Sequence, residues 1–352
     1  MSASVIDGAG LASSHVRLPP AEAVALAAER FGIVGSAVRF ETEKDDTFKI
    51  STERGDAVIL KVGNPGEDAA EIDLQIALLD HLKSRDCGAA IPGVVTDLDG
   101  RKVFTYVDKA GQSRLVRMLT FVRGLPLSDT TSSAVGRQHV GRVLAQLRLA
   151  MQDFSHQHDS RKLAWDVTHL DELEPLLAYI PDREHRDQLE RGLDRFRRVS
   201  HSLATVRKQV LHNDFSRSNI VVDHNAPGFV TGIIDFGDTV RTAIAVDVST
   251  ALLNQLPSAP REDLLLEGRD VLRGYLGVAD LMPAELELVP HLVMGRIIAR
   301  ALITHWRSAL FPENAPYIIR NTAQGWGQLD WFLRRSPEAV SSELRDLSLE
   351  TH

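Results

Sequence analysis

Between Val210 and Asp238 the chain reads VLHNDFSRSNIVVDHNAPGFVTGIIDFGD. His212 is followed two residues on by Asp214, five residues later by Asn219, and at the end of the stretch by Asp235-Phe236-Gly237-Asp238. Ile220–Val222 and Phe229–Ile234 are short apolar runs rich in β-branched residues, and 223–228 between them is made of turn formers. Two paired strands bring Asn219, just before the first, close to Asp235, at the end of the second. An amide oxygen and a carboxylate then converge on one point. That suits magnesium, which takes few protein oxygens and keeps the rest of its shell for water and phosphate. Asp214, on the loop before, is placed to accept the proton of an attacking hydroxyl. His212 reads as a scaffold residue rather than an acid or base. A proton acceptor beside a two-residue metal seat is the minimal kit for phosphoryl transfer from a nucleotide.

This constellation resembles the aminoglycoside phosphotransferase and choline kinase superfamily, which shares its architecture with protein kinases. The resemblance runs from about Ala21 to Trp331 and implies an α+β, protein-kinase-like bilobal fold. Its parts are an N-terminal extension over 1–19, a small antiparallel-sheet N-lobe for the nucleotide over 20–119, a hinge over 120–124, and a larger, mainly helical C-lobe over 125–352 that carries catalysis and the acceptor. It further implies that Asp214 is the catalytic base, that Asn219 and Asp235 hold Mg²⁺, that ATP or GTP is the phosphate donor, and that Asp238 lies toward the acceptor.

In the first third, Pro19-Pro20 opens a run of helical periodicity that stops at Gly32. Strands are predicted over 37–41, 47–51 and 57–62, with Arg54-Gly55-Asp56 as a turn. Lys61 sits in the apolar run Val58-Ile59-Leu60-Lys61-Val62. An edge-strand lysine in water is the plain reading; beside the later motif, Lys61 is expected on the α- and β-phosphates. A helix is predicted over 67–84, with the resemblance placing Gln75 where a glutamate often holds that lysine, and with Glu71 and Asp73 as alternatives. There is no G-x-G-x-x-G and no G-x-x-x-x-G-K-[ST]. The stretch 42–48, TEKDDTF, is similar to the "S-E-x-D-Q-N-F" loop of the hydroxylysine kinase-like branch, with Asp46-Thr47 in place of Gln-Asn, and Lys44 is a candidate phosphate contact. Val116–Gly124 is similar to that branch's "VRLLTFLPG" segment, which implies that Thr120, Phe121 and Val122 turn their backbone to the nucleotide base.

Beyond Gly124 helices are predicted over 135–155, 183–204, 241–256, 261–276 and 284–310. Asp247, in an apolar setting, either caps its helix or, as the resemblance implies, braces the catalytic loop. Arg217 reaches the γ-phosphate or faces solvent. In the tail, Trp306, Glu313, Tyr317 and Arg320 are expected on the acceptor by resemblance; the plain alternatives are a core tryptophan and a surface arginine paired with a carboxylate. Trp326 and Trp331 read as packing.

The chain has 352 residues, a net charge of −8 and one cysteine, Cys87. The charge gives a nucleic-acid partner no support. The lone cysteine excludes an internal disulfide and fits a reducing cytoplasm. No signal peptide or membrane-length apolar run is visible, so no membrane partner is expected. The expected activity is a small-molecule kinase that phosphorylates the hydroxyl of a small amino alcohol, 5-hydroxylysine-like by branch resemblance. Homoserine, choline, ethanolamine or an aminoglycoside are alternative acceptors, and a catalytically silent kinase-like binding protein or a subunit of a lyase system are alternative roles. Composition leaves the oligomeric state open.

Overall fold

A computed structural model of the protein describes residues 15–345 except 43, 44, 260 and 321. Most of the expected N-terminal extension, and Lys44, lie outside the described residues. The chain divides into two compact units.

The smaller unit takes the described residues up to Arg85 together with Ala90–Arg123. Pro20 opens helix α1 (Pro20–Phe31), where its fixed φ suits the first turn. Gly32, at φ 67°, closes it in the left-handed conformation. Strands β1 (Ser36–Phe40), β2 (Asp46–Ser51) and β3 (Ala57–Val62) follow, then α2 (Ala69–Leu82), capped by the Asp68 side chain, which accepts the Ala70 N–H. Strands β4 (Val94–Val95), β5 (Val103–Val107) and β6 (Ser113–Thr120) complete a six-stranded antiparallel sheet in the order β1-β2-β3-β6-β4, with β5 also paired to β6. One face of this sheet packs on α1: Leu26, Ala27 and Phe31 meet Phe48, Ile50, Leu60, Val62, Val116 and Met118. Side chains alternate along a strand. Lys61, between Leu60 and Val62, therefore points to the other face, as does Arg117, its direct partner in register on β6.

The larger unit takes Asp86–Ala89 and the chain from Gly124 onward. Strand β7 (Leu125–Pro126) leads to α3 (Ala134–Ala150), a run of 3-10 turns over Val167–Tyr179, and α4 (Arg183–Ser200). Strands β8 (Lys208–Leu211), β9 (Ile220–Val222), β10 (Val230–Ile233) and β11 (Val240–Ala243) come next. The β9–β10 hairpin is present as predicted, with β7 on the other edge of β9. The helix predicted over 241–256 begins later, as α5 (Ile244–Leu253), because Val240–Ala243 pairs antiparallel with β8. That partner is distant in sequence, and local periodicity cannot show it. Helices α6 (Leu266–Leu276), α7 (Pro283–Leu310), α8 (Ala315–Ile318), α9 (Ala323–Leu333) and α10 (Pro337–Ser342) complete the unit. Helix α7 is buried along most of its length, with α4, α5, α9, α10 and the 3-10 run against it. Helices α3 and α6 cross closely at Gly141 and Gly274, where a Cβ would collide with the carbonyls of Val271 and Gln138. Among the described residues no helix is long and apolar enough to cross a membrane.

The core of the smaller unit ends in a buried ionic hub. The Arg114 side chain is fully shut off from solvent. Its guanidinium donates to Asp46 (2.9 Å), Asp108 (3.2 Å) and the carbonyls of Val62 (3.2 Å) and Gly63. Asp46 also accepts from Arg39 and from the Leu18 N–H (2.9 Å), and lies 3.4 Å from His15. Burial alone pushes the Asp46 carboxyl up, but these donors outweigh it and hold it well below the usual carboxylate range. Removing one member of such a cluster leaves a buried charge exposed to its own desolvation cost. Asp46→Ala is therefore expected to destabilise the smaller unit by about 3–5 kcal/mol, read from urea unfolding. Because folding lowers the Asp46 pKa, its contribution is complete above the ordinary carboxylate range and is lost as the pH falls through the depressed value. The variant should accordingly lose the corresponding part of its acid-dependent stability.

Candidate active site

Strand β8 delivers the loop that starts at His212. The imidazole is fully buried. Its Nδ1 accepts the Asp214 N–H (3.2 Å), so the ring proton is on Nε2, which donates to the Ile234 carbonyl (3.1 Å). His212 thus pins the loop at one end and the exit of β10 at the other. Asn213 adopts φ 62°, a left-handed conformation that asparagine tolerates better than most residues. Its N–H donates to Asp247 Oδ1 at 2.8 Å. Asp247 lies inside the first turn of α5, whose N-cap is Ala243, so it does not cap its helix; it holds the loop. Burial raises the Asp247 carboxyl to about 6, against the pull of the Asn213 N–H and of Arg296.

Asp214 is half-buried, and Asn219 Nδ2 donates both to its Oδ2 (2.6 Å) and to its carbonyl (3.0 Å). With its nitrogen so committed, the Asn219 amide has its oxygen to offer elsewhere. The Asn219 backbone carbonyl accepts the Ile234 N–H (2.9 Å), which draws together the start of β9 and the end of β10, as the spacing predicts. The next residue, Asp235, is exposed and left-handed (φ 60°, ψ 75°), with its side chain accepting the Gly237 N–H at 3.3 Å. Burial, the nearby Asp238 carboxylate and then Asp235 raise the Asp214 carboxyl to about 7, with Arg296 and the Asn219 bond acting the other way. A carboxylate poised near neutrality in a strongly negative setting is suited both to accept a proton and to share its surroundings with a divalent cation. Among the described residues no three His, Cys, Asp or Glu side chains are grouped to hold a metal by themselves. One amide oxygen and one carboxylate fit magnesium, whose remaining ligands are water and phosphate.

In the smaller unit, Lys61 Nζ lies 3.3 Å from Asp45 Oδ2, a carboxylate of the β1–β2 turn. Gln75 is buried, and its Oε1 accepts from Arg117 (3.4 Å), which also pairs with Glu67 (3.2 Å). The segment 120–122 is partly strand. Thr120 ends β6, and its N–H donates to the Gly93 carbonyl (2.8 Å). The Phe121 N–H reaches the Ala57 carbonyl (3.4 Å), and Lys49 stacks over the Phe121 ring at 4.2 Å. Of the three, Val122 is the one whose N–H no backbone group of the described residues accepts.

Back in the larger unit, Arg217 is half-buried, and its Nη2 donates to the carbonyls of Leu127 (2.9 Å) and Thr130 (2.6 Å). Trp306 is buried in α7. Glu313 and Tyr317 are exposed, on short turns after α7. Arg320 stacks on the Tyr317 ring at 3.6 Å instead of pairing with a surface carboxylate. Trp326 stacks on His185, and Trp331 donates to the Glu262 carbonyl, both as packing residues. The side chains that motif reading passes over are Asn213, Asp45, Arg117 and Arg296. A basic residue inside the apolar run HLVMGRIIA is a visible signal for the last of them.

Residues 38–284 match the phosphotransferase enzyme family. The chain belongs to that family. This phosphotransferase is similar to the hydroxylysine kinase of Mus musculus, at 25% identity over 95% of each chain. It is similar to the homoserine kinase of Chelativorans sp. (strain BNC1), at 24% identity over 78% of this chain and 81% of the relative. Among solved structures it is similar to a microcompartment-associated aminopropanol kinase, with a TM-score of 0.69 and 22% identity, over 91% of this chain and 98% of the other. The fold is therefore the α+β, kinase-like one expected, and the protein is a small-molecule phosphotransferase that acts on an alcohol group.

The repulsion around Asp214 gives this phosphotransferase a testable pH dependence. Asp238 is the largest source of like-charge repulsion on it. Asp238→Asn should lower the Asp214 pKa and move the acidic limb of the kcat/KM profile to lower pH. An unmoved limb would separate the two carboxylates electrostatically.

Proposed function

We propose that this enzyme transfers the γ-phosphate of ATP or GTP to the hydroxyl of a small amino alcohol of the 5-hydroxylysine type. The observation that carries the chemistry is the Asp214 carboxyl, raised to about 7 and fixed by Asn219 in a loop clamped by His212 and Asp247. In this reading Asp214 orients the acceptor hydroxyl and takes its proton as the oxygen attacks phosphorus. Asn219 and Asp235 hold Mg²⁺, which when bound supplies countercharge to the phosphates. Lys61 serves the α- and β-phosphates, with Asp45 as its counter-ion while no nucleotide is bound. The smaller unit carries the nucleotide, and the larger unit carries the base and the acceptor. A cytoplasmic location, where nucleotide triphosphates are abundant, suits this activity.

The acceptor class is supported by the similarity to hydroxylysine kinase along nearly the whole chain. Homoserine or an aminopropanol is the second reading, favoured by the homoserine kinase and aminopropanol kinase likenesses. A nucleotide-consumption assay with ATP and GTP in parallel, across hydroxy amino acids, amino alcohols and aminoglycosides, should show stimulation by at least one of the first two groups. Stimulation by aminoglycosides alone would overturn the acceptor class.

Loss of a general base costs roughly 10²–10⁴-fold in rate. Asp214→Asn should lose turnover by about that factor while nucleotide affinity, measured by calorimetry, stays near that of the wild type. A variant with near wild-type kcat would remove Asp214 from the role.

A further inference from the structure

Helix α7 carries two arginines, Arg296 and Arg300, one turn apart and hence on one face. Arg296 is 6% exposed and Arg300 half-buried. Other arginines of the larger unit donate more than once to carbonyls, hydroxyls or carboxylates, although Arg195 Nε and Nη2 and Arg148 Nε have no hydrogen-bond partner. Arg207 pairs with Glu285 (2.5 Å) and Asp280 (2.8 Å). Arg195 donates to the Phe332 and Arg335 carbonyls where α9 ends. Arg148 donates to Tyr275 and to the Asp280 carbonyl. Arg296 and Arg300 differ in standing one turn apart with a single donation each. Among the described residues neither forms an ion pair. Arg296 donates once, to the Trp165 carbonyl, and Arg300 donates once, to Gln328 Oε1 at 3.1 Å. Gln328 is itself fixed, its Nε2 donating to the Pro257 carbonyl (3.0 Å). A guanidinium has five N–H donors, so most of both forks is unanswered. Gly325 of α9 lies beside Arg300, where a Cβ would stand at ordinary contact distance, 3.5 Å, from Nη2.

Two like charges one helical turn apart, with no carboxylate paired to either among the described residues, repel one another. The cost is legible in Arg300, whose guanidinium falls to about 10 through burial and then through repulsion by Arg296. Arg296 also acts on Asp214 and Asp247, so the pair belongs to the neighbourhood of the proposed base. A ligand that brought a planar anion to this face would remove the repulsion and answer the donors together. A carboxylate matches a guanidinium fork in geometry as well as charge. The carboxylates Asp214 and Asp238 provide the opposite sign nearby, which suits the ammonium end of a zwitterion.

We infer that Arg296 and Arg300 seat the carboxylate of the acceptor, so that the compound phosphorylated is a hydroxy amino acid and not a plain amino alcohol. The inference rests on the kinase reading for the place of the hydroxyl, and on the two arginines for the carboxylate. It separates acceptors that the resemblances leave together, since hydroxylysine and homoserine carry a carboxylate and aminopropanol does not.

The test compares 5-hydroxylysine and homoserine with their decarboxylated counterparts on the wild-type enzyme, with magnesium and ATP or GTP. Charge-assisted hydrogen bonds of this kind predict a kcat/KM advantage of roughly ten- to hundred-fold for the amino acids. Arg300→Gln should shrink that ratio through a higher KM for the amino acid, and Arg300→Lys should restore part of it. Equal use of both members of each pair by the wild type overturns the inference, and needs no variant to fold. If no compound is turned over, the proposed activity fails separately, and calorimetric binding of the same pairs decides the seat. Binding of an amino acid without its decarboxylated partner upholds it; equal binding of both, or of neither, removes it.

Discussion

The hydrogen bond from the Asn213 N–H to Asp247 is the constraint on which the site rests. Asn213 sits immediately after His212, at the exit of β8, and Asp247 sits one turn into α5, at the exit of β11. The antiparallel pairing of β8 with β11 is therefore what brings donor and acceptor together. Once they meet, the left-handed turn at Asn213 is fixed and the next residue, Asp214, has one direction left to face. His212 closes the other side by joining Asp214 to the end of β10 through its two ring nitrogens. The loop has little freedom because α5 holds the Asn213 N–H and the exit of β10 holds the His212 ring.

Charge is handled in opposite ways in the two units. In the smaller unit, Arg114, Asp46, Arg39 and Asp108 answer one another, so burial is compensated. In the larger unit, carboxylates crowd Asp214, and Arg296 and Arg300 of α7 have no acid paired to them among the described residues. Such arrangements oppose folding and persist where a ligand completes them. The two units thus differ: the hub of one is electrostatically complete in its own side chains, and the neighbourhood of Asp214 in the other is not.

Much of this was legible in residue types and spacing. His212, Asp214, Asn219 and Asp235 fall where the hairpin reading puts them, because turn chemistry and β-branched runs are local signals. The strands around Lys61 and the helix after them were readable for the same reason. The β8–β11 pair was not, since Val240–Ala243 borders an apolar helix and carries no mark of its distant partner. The choice between capping and bracing for Asp247 was open until the helix start was known to lie at Ile244. Asp45 beside Lys61, and Gln75 turned to Arg117, depend on which faces of a sheet and a helix meet, which one-dimensional patterns do not encode. Arg296 and Arg300 were visible as charges in an apolar run, but their lack of an acid partner is a fact of three-dimensional packing.

The Arg114 hub has a consequence for how the chain is made. Its acceptors lie at Asp46, Val62, Gly63 and Asp108, and Asp46 in turn reaches back to Leu18. Strand β6, which bears Arg114, also lies in the middle of the sheet, between β3 and β4. Nothing in this unit can be completed until that strand has left the ribosome, although its first helix and hairpin emerge much earlier. The nascent chain therefore carries the β3 edge that β6 pairs, and Asp46 without Arg114, through a long stretch of synthesis, the interval in which it most depends on chaperones.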